Sequence, residues 1–76
     1  MNKRTMVYVH LLEEGTPTSR GTEAIPLGNN IYKLLATEDY DPNDEVWQFL
    51  PGSIVRCEQS TTADNEPILL AIEQIG

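Results

Sequence analysis

Turn-forming residues interrupt this chain at short intervals, at Glu13-Glu14-Gly15-Thr16-Pro17, Gly28-Asn29-Asn30, Asp41-Pro42-Asn43-Asp44 and Pro51-Gly52, and the stretches between them are rich in Val, Ile, Leu and Tyr. That punctuation predicts short strands. Met6 to Leu12 reads as the first, ending at the Glu13 to Pro17 turn. Arg20 to Leu27 and Ile31 to Leu35 read as a hairpin about Gly28-Asn29-Asn30, because Gly and Asn accept positive φ at little cost. Pro26 has no N–H for a ladder, so its arm is expected at a sheet edge or to carry a bulge. Val46 to Leu50 gives a further short strand, and Pro51-Gly52 fits the centre of a type II turn. Ser53 to Glu58 then alternates, with Val55 and Cys57 on one face and Ile54, Arg56 and Glu58 on the other. Thr61 to Pro67 reads as a loop and Ile68 to Ile72 as the last strand.

No segment sustains an i, i+3, i+4, i+7 apolar pattern beside good caps; the nearest competitor is a short helix over Leu70 to Ile75, where Leu69, Ile72 and Ile75 recur every third residue. The expectation is therefore a single all-β domain over residues 1–76. Five or six short strands in 76 residues have too little area for an open sandwich and must close on themselves, so a small antiparallel barrel of the SH3-like kind is predicted. An oligonucleotide-binding type of barrel is disfavoured, since it needs more chain and an intervening helix. The predicted core draws on Val7, Val9, Leu11, Ile25, Leu34, Val46, Phe49, Val55, Cys57, Leu69 and Ile72, with Trp47 covering one end. A chain this short buries only about 60% of its unfolded surface, which leaves no volume for a deep, self-contained cleft.

Lys and Arg number 5 against 12 Asp and Glu, a formal charge of -7. Nucleic-acid affinity comes largely from basic residues neutralising phosphates, and Lys3, Arg4, Arg20, Lys33 and Arg56 form no stripe, so neither nucleic acid nor an anionic membrane is expected as a partner. The same charge steers a basic protein toward the molecule. A single cysteine, Cys57, excludes an internal disulfide and suggests a reducing compartment. The segment Val7 to Leu12, interrupted by Tyr8 and His10, is too short and polar for a secretory signal, so a cytoplasmic location is expected.

The acidic run Glu38-Asp39-Tyr40-Asp41-Pro42-Asn43-Asp44-Glu45 is the most unusual local feature. As a calcium loop it fails, because Asp44 stands where a Gly is needed and Leu50 where a bidentate Glu belongs. As a docking loop it offers carboxylates for a Lys- or Arg-bearing partner and Tyr40 as a rigid anchor. Glu38, Asp39, Tyr40, Asp41, Asp44, Glu45 and the nearby Trp47 are the candidate partner-binding residues. The plainer alternative is a solvated loop with Asx turns at Asp41-Pro42 and Asn43-Asp44 and with Tyr40 folded back over the barrel. Trp47 and Phe49 share one strand face and either line a ligand groove or fill the core. His10, opposite in face to Val9 and Leu11, and Cys57 make a nucleophile and base only if their strands are neighbours. No phosphate loop, paired His or Cys ligand spacing or nucleophile elbow is present, so no catalytic residue, cofactor or metal is assigned.

The stretches Val7-Tyr8-Val9 to Glu13-Glu14-Gly15-Thr16, Ala24 to Gly28 with Tyr32-Lys33-Leu34-Leu35, and Asp39-Tyr40-Asp41-Pro42 through Val46-Trp47 to Val55-Arg56-Cys57 resemble a group of small bacterial all-β proteins with no assigned activity. Those proteins carry a Trp-Arg pair before the second strand, where this chain has Ser19-Arg20. The resemblance implies a bacterial, stand-alone protein. The function expected from all of this is a non-catalytic protein-binding module, of the immunity or antitoxin type, for a basic partner. The alternative is a homo-oligomer that binds a small ligand, or acts as an enzyme, at a site shared between subunits.

Overall fold

A computed structural model describes residues 3–13, 15, 18–38, 40–62 and 64–76. Six strands form one mixed sheet: β1 (Thr5–Leu12), β2 (Thr18–Gly28), β3 (Ile31–Leu34), β4 (Val46–Trp47), β5 (Ile54–Thr61) and β6 (Pro67–Gln74). Five of them make a ring in the order β1, β2, β3, β5, β6 and back to β1, while β4 attaches to β1. The Cα radius of gyration is 11.9 Å, against about 11 Å for a close-packed chain of this length. The described residues include no helix long and apolar enough to cross a membrane, and the Leu70 to Ile75 stretch is strand through Gln74.

The expectation of a wholly antiparallel sheet fails for a reason of parity. Directions alternate around an antiparallel ring, and an odd number of strands leaves one neighbouring pair that runs the same way. Here that pair is β1 and β6, joined in parallel at Tyr8 and Leu70. The other four contacts of the ring are antiparallel.

Each turn follows from its residues. Gly28, Asn29 and Asn30 all have positive φ, which carries the chain from β2 to β3. Leu27 is the extra residue between the Pro26–Tyr32 and Gly28–Ile31 pairs, so the arm with Pro26 carries a bulge, and because β1 pairs with β2 only from Thr18 to Ala24, Pro26 has a partner strand on the β3 side alone. The Ser53 amide bonds the Leu50 carbonyl at 3.1 Å across Pro51 and Gly52, whose φ is +92°, as a type II turn requires.

The core comprises Val7, Val9, Ala24, Leu34, Trp47, Phe49, Val55, Cys57 and Ala71, with Leu11, Tyr32, Tyr40 and Leu69 packed against it. Three of the predicted core residues lie elsewhere. On β2 the alternation places Thr22 and Ala24 inward, so Ile25 falls on the other face and is only half-buried. On β6 the alternation that turns Leu69 toward the core does the same for Ala71, so Ile72 falls on the other face, where it is the extra residue at a bulge between the Arg56–Glu73 and Cys57–Ala71 pairs. Val46 is exposed because its strand neighbour Trp47 takes the inward position. Small inward residues suit a ring of only five strands, whose interior is narrow. Thr22, the one buried polar side chain among the described residues, donates its hydroxyl to the Leu35 carbonyl at 2.6 Å. On the outer face Met6 and Tyr8 lie over Gly21: a Cβ there would sit 3.1 Å from the Met6 sulfur and 3.2 Å from the Tyr8 ring.

Leu34 has no exposed surface and packs at the centre of this narrow interior. Replacing it by Ala is expected to cost about 2–5 kcal/mol, a large share of the roughly 4–11 kcal/mol typical of a 76-residue domain. Urea unfolding should show the midpoint falling with the slope unchanged.

Candidate functional site

The segment from Leu35 to Glu45 leaves the ring after β3 and returns as β4, and its two ends are tied down by backbone bonds. The Leu35 amide bonds the Glu23 carbonyl at 3.0 Å, and the Gln48 amide bonds the His10 carbonyl at 2.9 Å. Between them the loop makes its own turns. The Tyr40 amide bonds the Thr37 carbonyl, and the Asp44 and Glu45 amides both bond the Asp41 carbonyl. The Asp41 carboxylate accepts the Asn43 amide at 2.9 Å, the Asx turn anticipated from Asp41-Pro42.

Two side-chain contacts hold this loop to the ring. Tyr40 packs edge-on against Trp47, with ring centroids 4.9 Å apart and an interplanar angle of 68°, a favoured geometry for an aromatic pair. Glu45 bridges β2 and β4: one carboxylate oxygen accepts from the Arg20 guanidinium and the other from the Trp47 indole N–H at 3.1 Å. Arg20, sharing its level with Val9, is thereby linked to a segment that is distant in sequence. The Arg20 hydrogen bond, followed by that from Trp47, holds the Glu45 carboxyl below the ordinary carboxylate range.

The seven candidate residues therefore divide. Trp47 is 2% exposed and belongs to the core, as does Phe49, so neither lines an open groove. Glu45 is half-buried and engaged within the molecule, and Tyr40 is folded back on Trp47. Glu38 and Asp44 are exposed and Asp41 is half-buried at the loop surface. Asp39 lies outside the described residues.

The three arginines are each paired with a glutamate, Arg4 with Glu23, Arg20 with Glu45 and Arg56 with Glu73. Glu38, Asp41 and Asp44 have no salt-bridge partner among the described residues. The loop thus presents negative charge on a backbone fixed by its own turns and by the Glu45 and Tyr40 contacts.

His10 and Cys57 do not form a nucleophile and base. Their strands are separated in the ring by β6, His10 points outward, and Cys57 is buried at 1% exposure. Burial pushes the Cys57 thiol up to about 11. No group of three or more His, Cys, Asp or Glu among the described residues has the geometry to hold a metal ion.

One surface feature went unrecognised in the sequence. His10, Ser19, Ser60, Thr61, Ile68 and Leu70 contribute to an open groove of about 270 Å³ on the outer side of the ring, with hydroxyls along its walls and no carboxylate among its lining residues. The only sequence signal was the outward phase of His10, because its neighbours come from strands whose pairing only the fold supplies. No family model matches the chain, and no curated protein and no solved structure shows significant similarity to it.

Two outcomes follow. Because the folded-state pKa of Glu45 is depressed, its contribution to stability is present above the ordinary value of 4.5 and is lost as pH falls through the folded value. Glu45→Gln should therefore lower Tm near neutrality, where that contribution is present, and converge with wild type in acid, so that the acid limb of its Tm-against-pH curve is flatter. Secondly, Cys57 in the native protein should resist a thiol reagent at mildly alkaline pH, with a labelling rate that rises in step with destabilisation by Leu34→Ala; rapid stoichiometric labelling of the folded chain would contradict its burial.

Proposed function

We propose that the chain is a non-catalytic protein-binding module on an SH3-like ring, and that the loop carrying Glu38, Asp41 and Asp44 docks a basic protein partner. The observation that carries this reading is the disposition of charge. Every arginine is engaged with a glutamate, while Glu38, Asp41 and Asp44 have no salt-bridge partner among the described residues. The loop is also pre-shaped by its Asx turn and by the Tyr40–Trp47 and Arg20–Glu45 contacts, so less ordering entropy opposes binding. Charge of this kind raises the association rate and fixes orientation, and both effects weaken with salt.

An acidic inhibitor of a basic enzyme, of the immunity or antitoxin type, is the role that best matches a small, rigid, negatively charged surface without catalytic groups. Glu45 and Trp47 act here by holding the loop, and Glu38, Asp41 and Asp44 by contacting the partner. The lone thiol, buried as an apolar side chain, supports a protein that does not depend on oxidation and works in the cytoplasm.

The triple variant Glu38→Gln, Asp41→Asn, Asp44→Asn tests the reading, since Asn at position 41 retains an acceptor for the Asx turn. Immobilised wild-type protein should retain a partner from native lysate at low salt and release it at high salt. The variant should melt at nearly the same temperature and lose that retention by at least tenfold. Equal retention by both proteins would remove the loop from the interface.

A further inference from the structure

The ring is incomplete along one side of β5. Strand β3 pairs with β5 only from Ile54 to Arg56, whereas β5 continues to Thr61 alongside β6. Past Arg56, the Cys57 amide bonds the Asn30 carbonyl at 2.9 Å, and from Glu58 to Thr61 no described strand pairs with β5 on the side away from β6. The direction of each backbone group follows from that bond. Cys57 points toward the β3 side, and Ile54 points the opposite way, to the carbonyl of Gly76. Alternation along the strand then aims the N–H and C=O of Gln59 and Thr61 at the open side, and those of Glu58 and Ser60 at β6.

Open edges are normally guarded by being very short, or by proline, charged side chains such as lysine or a bulge on the edge strand. Here the edge is short, and the other guards are weak. The segment Glu58-Gln59-Ser60-Thr61-Thr62 has one charge at its start and then four neutral polar residues, and the bulge of the β5–β6 pair lies on β6, not on β5.

We infer that the Glu58–Thr61 edge of β5 is a self-association surface, on which a second copy of this chain adds its own β5 in antiparallel register about a twofold axis at Ser60. A second copy suits this edge because Gln59 to Thr62 are neutral in a chain of net charge -7, so self-pairing brings no like charges together. Both outward-pointing residues lie one position from Ser60, so a twofold axis there sets Gln59 against Thr61 of the other copy and Thr61 against its Gln59. Each becomes a hydrogen-bonded pair, and Ser60 meets its counterpart as the close, non-hydrogen-bonded pair between them. Glu58 falls opposite a neutral Thr62, so no like charges meet within the paired segment. A pairing this short buries less than the roughly 1,200 Å² of a stable interface, and the two chains carry the same net charge, so the dimer is weak and gains from added salt. That salt dependence is opposite in sign to the one expected of a basic partner on the acidic loop, and so the two readings fail separately.

Sedimentation of the full chain over a concentration series reaching the millimolar range, at low and high salt, supplies the first test. The average mass should climb toward twice that of one chain, and at high salt should do so at lower concentration. Gln59→Pro and Thr61→Pro each remove one outward N–H without touching the bonds to β6, and should abolish the rise while far-UV circular dichroism and Tm stay near wild type. Ser60→Cys should form an intermolecular disulfide under mild oxidation at least tenfold faster than Glu13→Cys on another exposed turn, because the close pair brings its two Cα atoms within reach of a bridge. Should a proline variant fail to fold, the Ser60→Cys rate still decides. A wild-type chain that stays monomeric to millimolar concentration at high salt, folded proline variants that still dimerise, or equal crosslinking at positions 60 and 13 would each overturn the inference.

Discussion

Closure of an odd-numbered ring is the constraint on which the rest of this structure depends. Five strands cannot alternate all the way round, so one seam is parallel, and it falls between β1 and β6 with a single registered pair, Tyr8 and Leu70. The interior that closure leaves is narrow, which is why Ala24, Ala71 and Cys57 serve as core residues beside Val7, Val9 and Leu34. It is also why the largest side chain, Trp47, enters from β4, a strand of two residues outside the ring. Once Trp47 is seated, Tyr40 and Glu45 have partners, and the loop between β3 and β4 takes a fixed course.

Much of the strand layout was legible because its signals are local. The positive-φ turn at Gly28-Asn29-Asn30, the Pro51-Gly52 turn and the alternation of Val55 and Cys57 with Arg56 and Glu58 each depend on residues within a few positions of one another. The errors arose where a neighbouring strand decides. Ile25 and Ile72 are larger and more apolar than Ala24 and Ala71, and composition favours them for the core. Alternation with Thr22 on β2 and with Leu69 on β6 reverses that choice, and which face of a strand turns inward is decided by the strands beside it. The extent of β4 was overestimated for a related reason, since Val46 to Leu50 has the composition of a strand but its register with β1 covers only Leu11 and Leu12 and ends with the Gln48 bond to the His10 carbonyl.

The acidic loop was conspicuous from its charge, whereas the division of labour within it was not. Nothing local distinguishes Glu45 from Glu38 or Asp44. The distinction comes from Arg20, which pairs with Val9 on β1 and is thereby held within reach of Glu45. The same contact sets Glu45 apart electrostatically and leaves Glu38, Asp41 and Asp44 to define the outward field. A cluster of like charges in sequence thus resolves into a structural member and a solvent-facing set once the fold supplies a cation for one of them.

The parallel seam also bears on how the ring assembles. Strands β2 and β3 are joined by a tight turn, and β5 and β6 by a short loop, so each of these pairs can form from nearby chain within microseconds. Tyr8 and Leu70 are separated by nearly the whole sequence, and their meeting carries the largest loop-closure entropy in the molecule. During synthesis β1 lacks its β6 neighbour until the last strand has been made, so the partial chain holds one side of β1 open. The rate of reaching the native state should accordingly be governed by the topology of this one seam, and mutations that stabilise the β2–β3 turn, which forms before the seam closes, should hasten folding more than they slow unfolding.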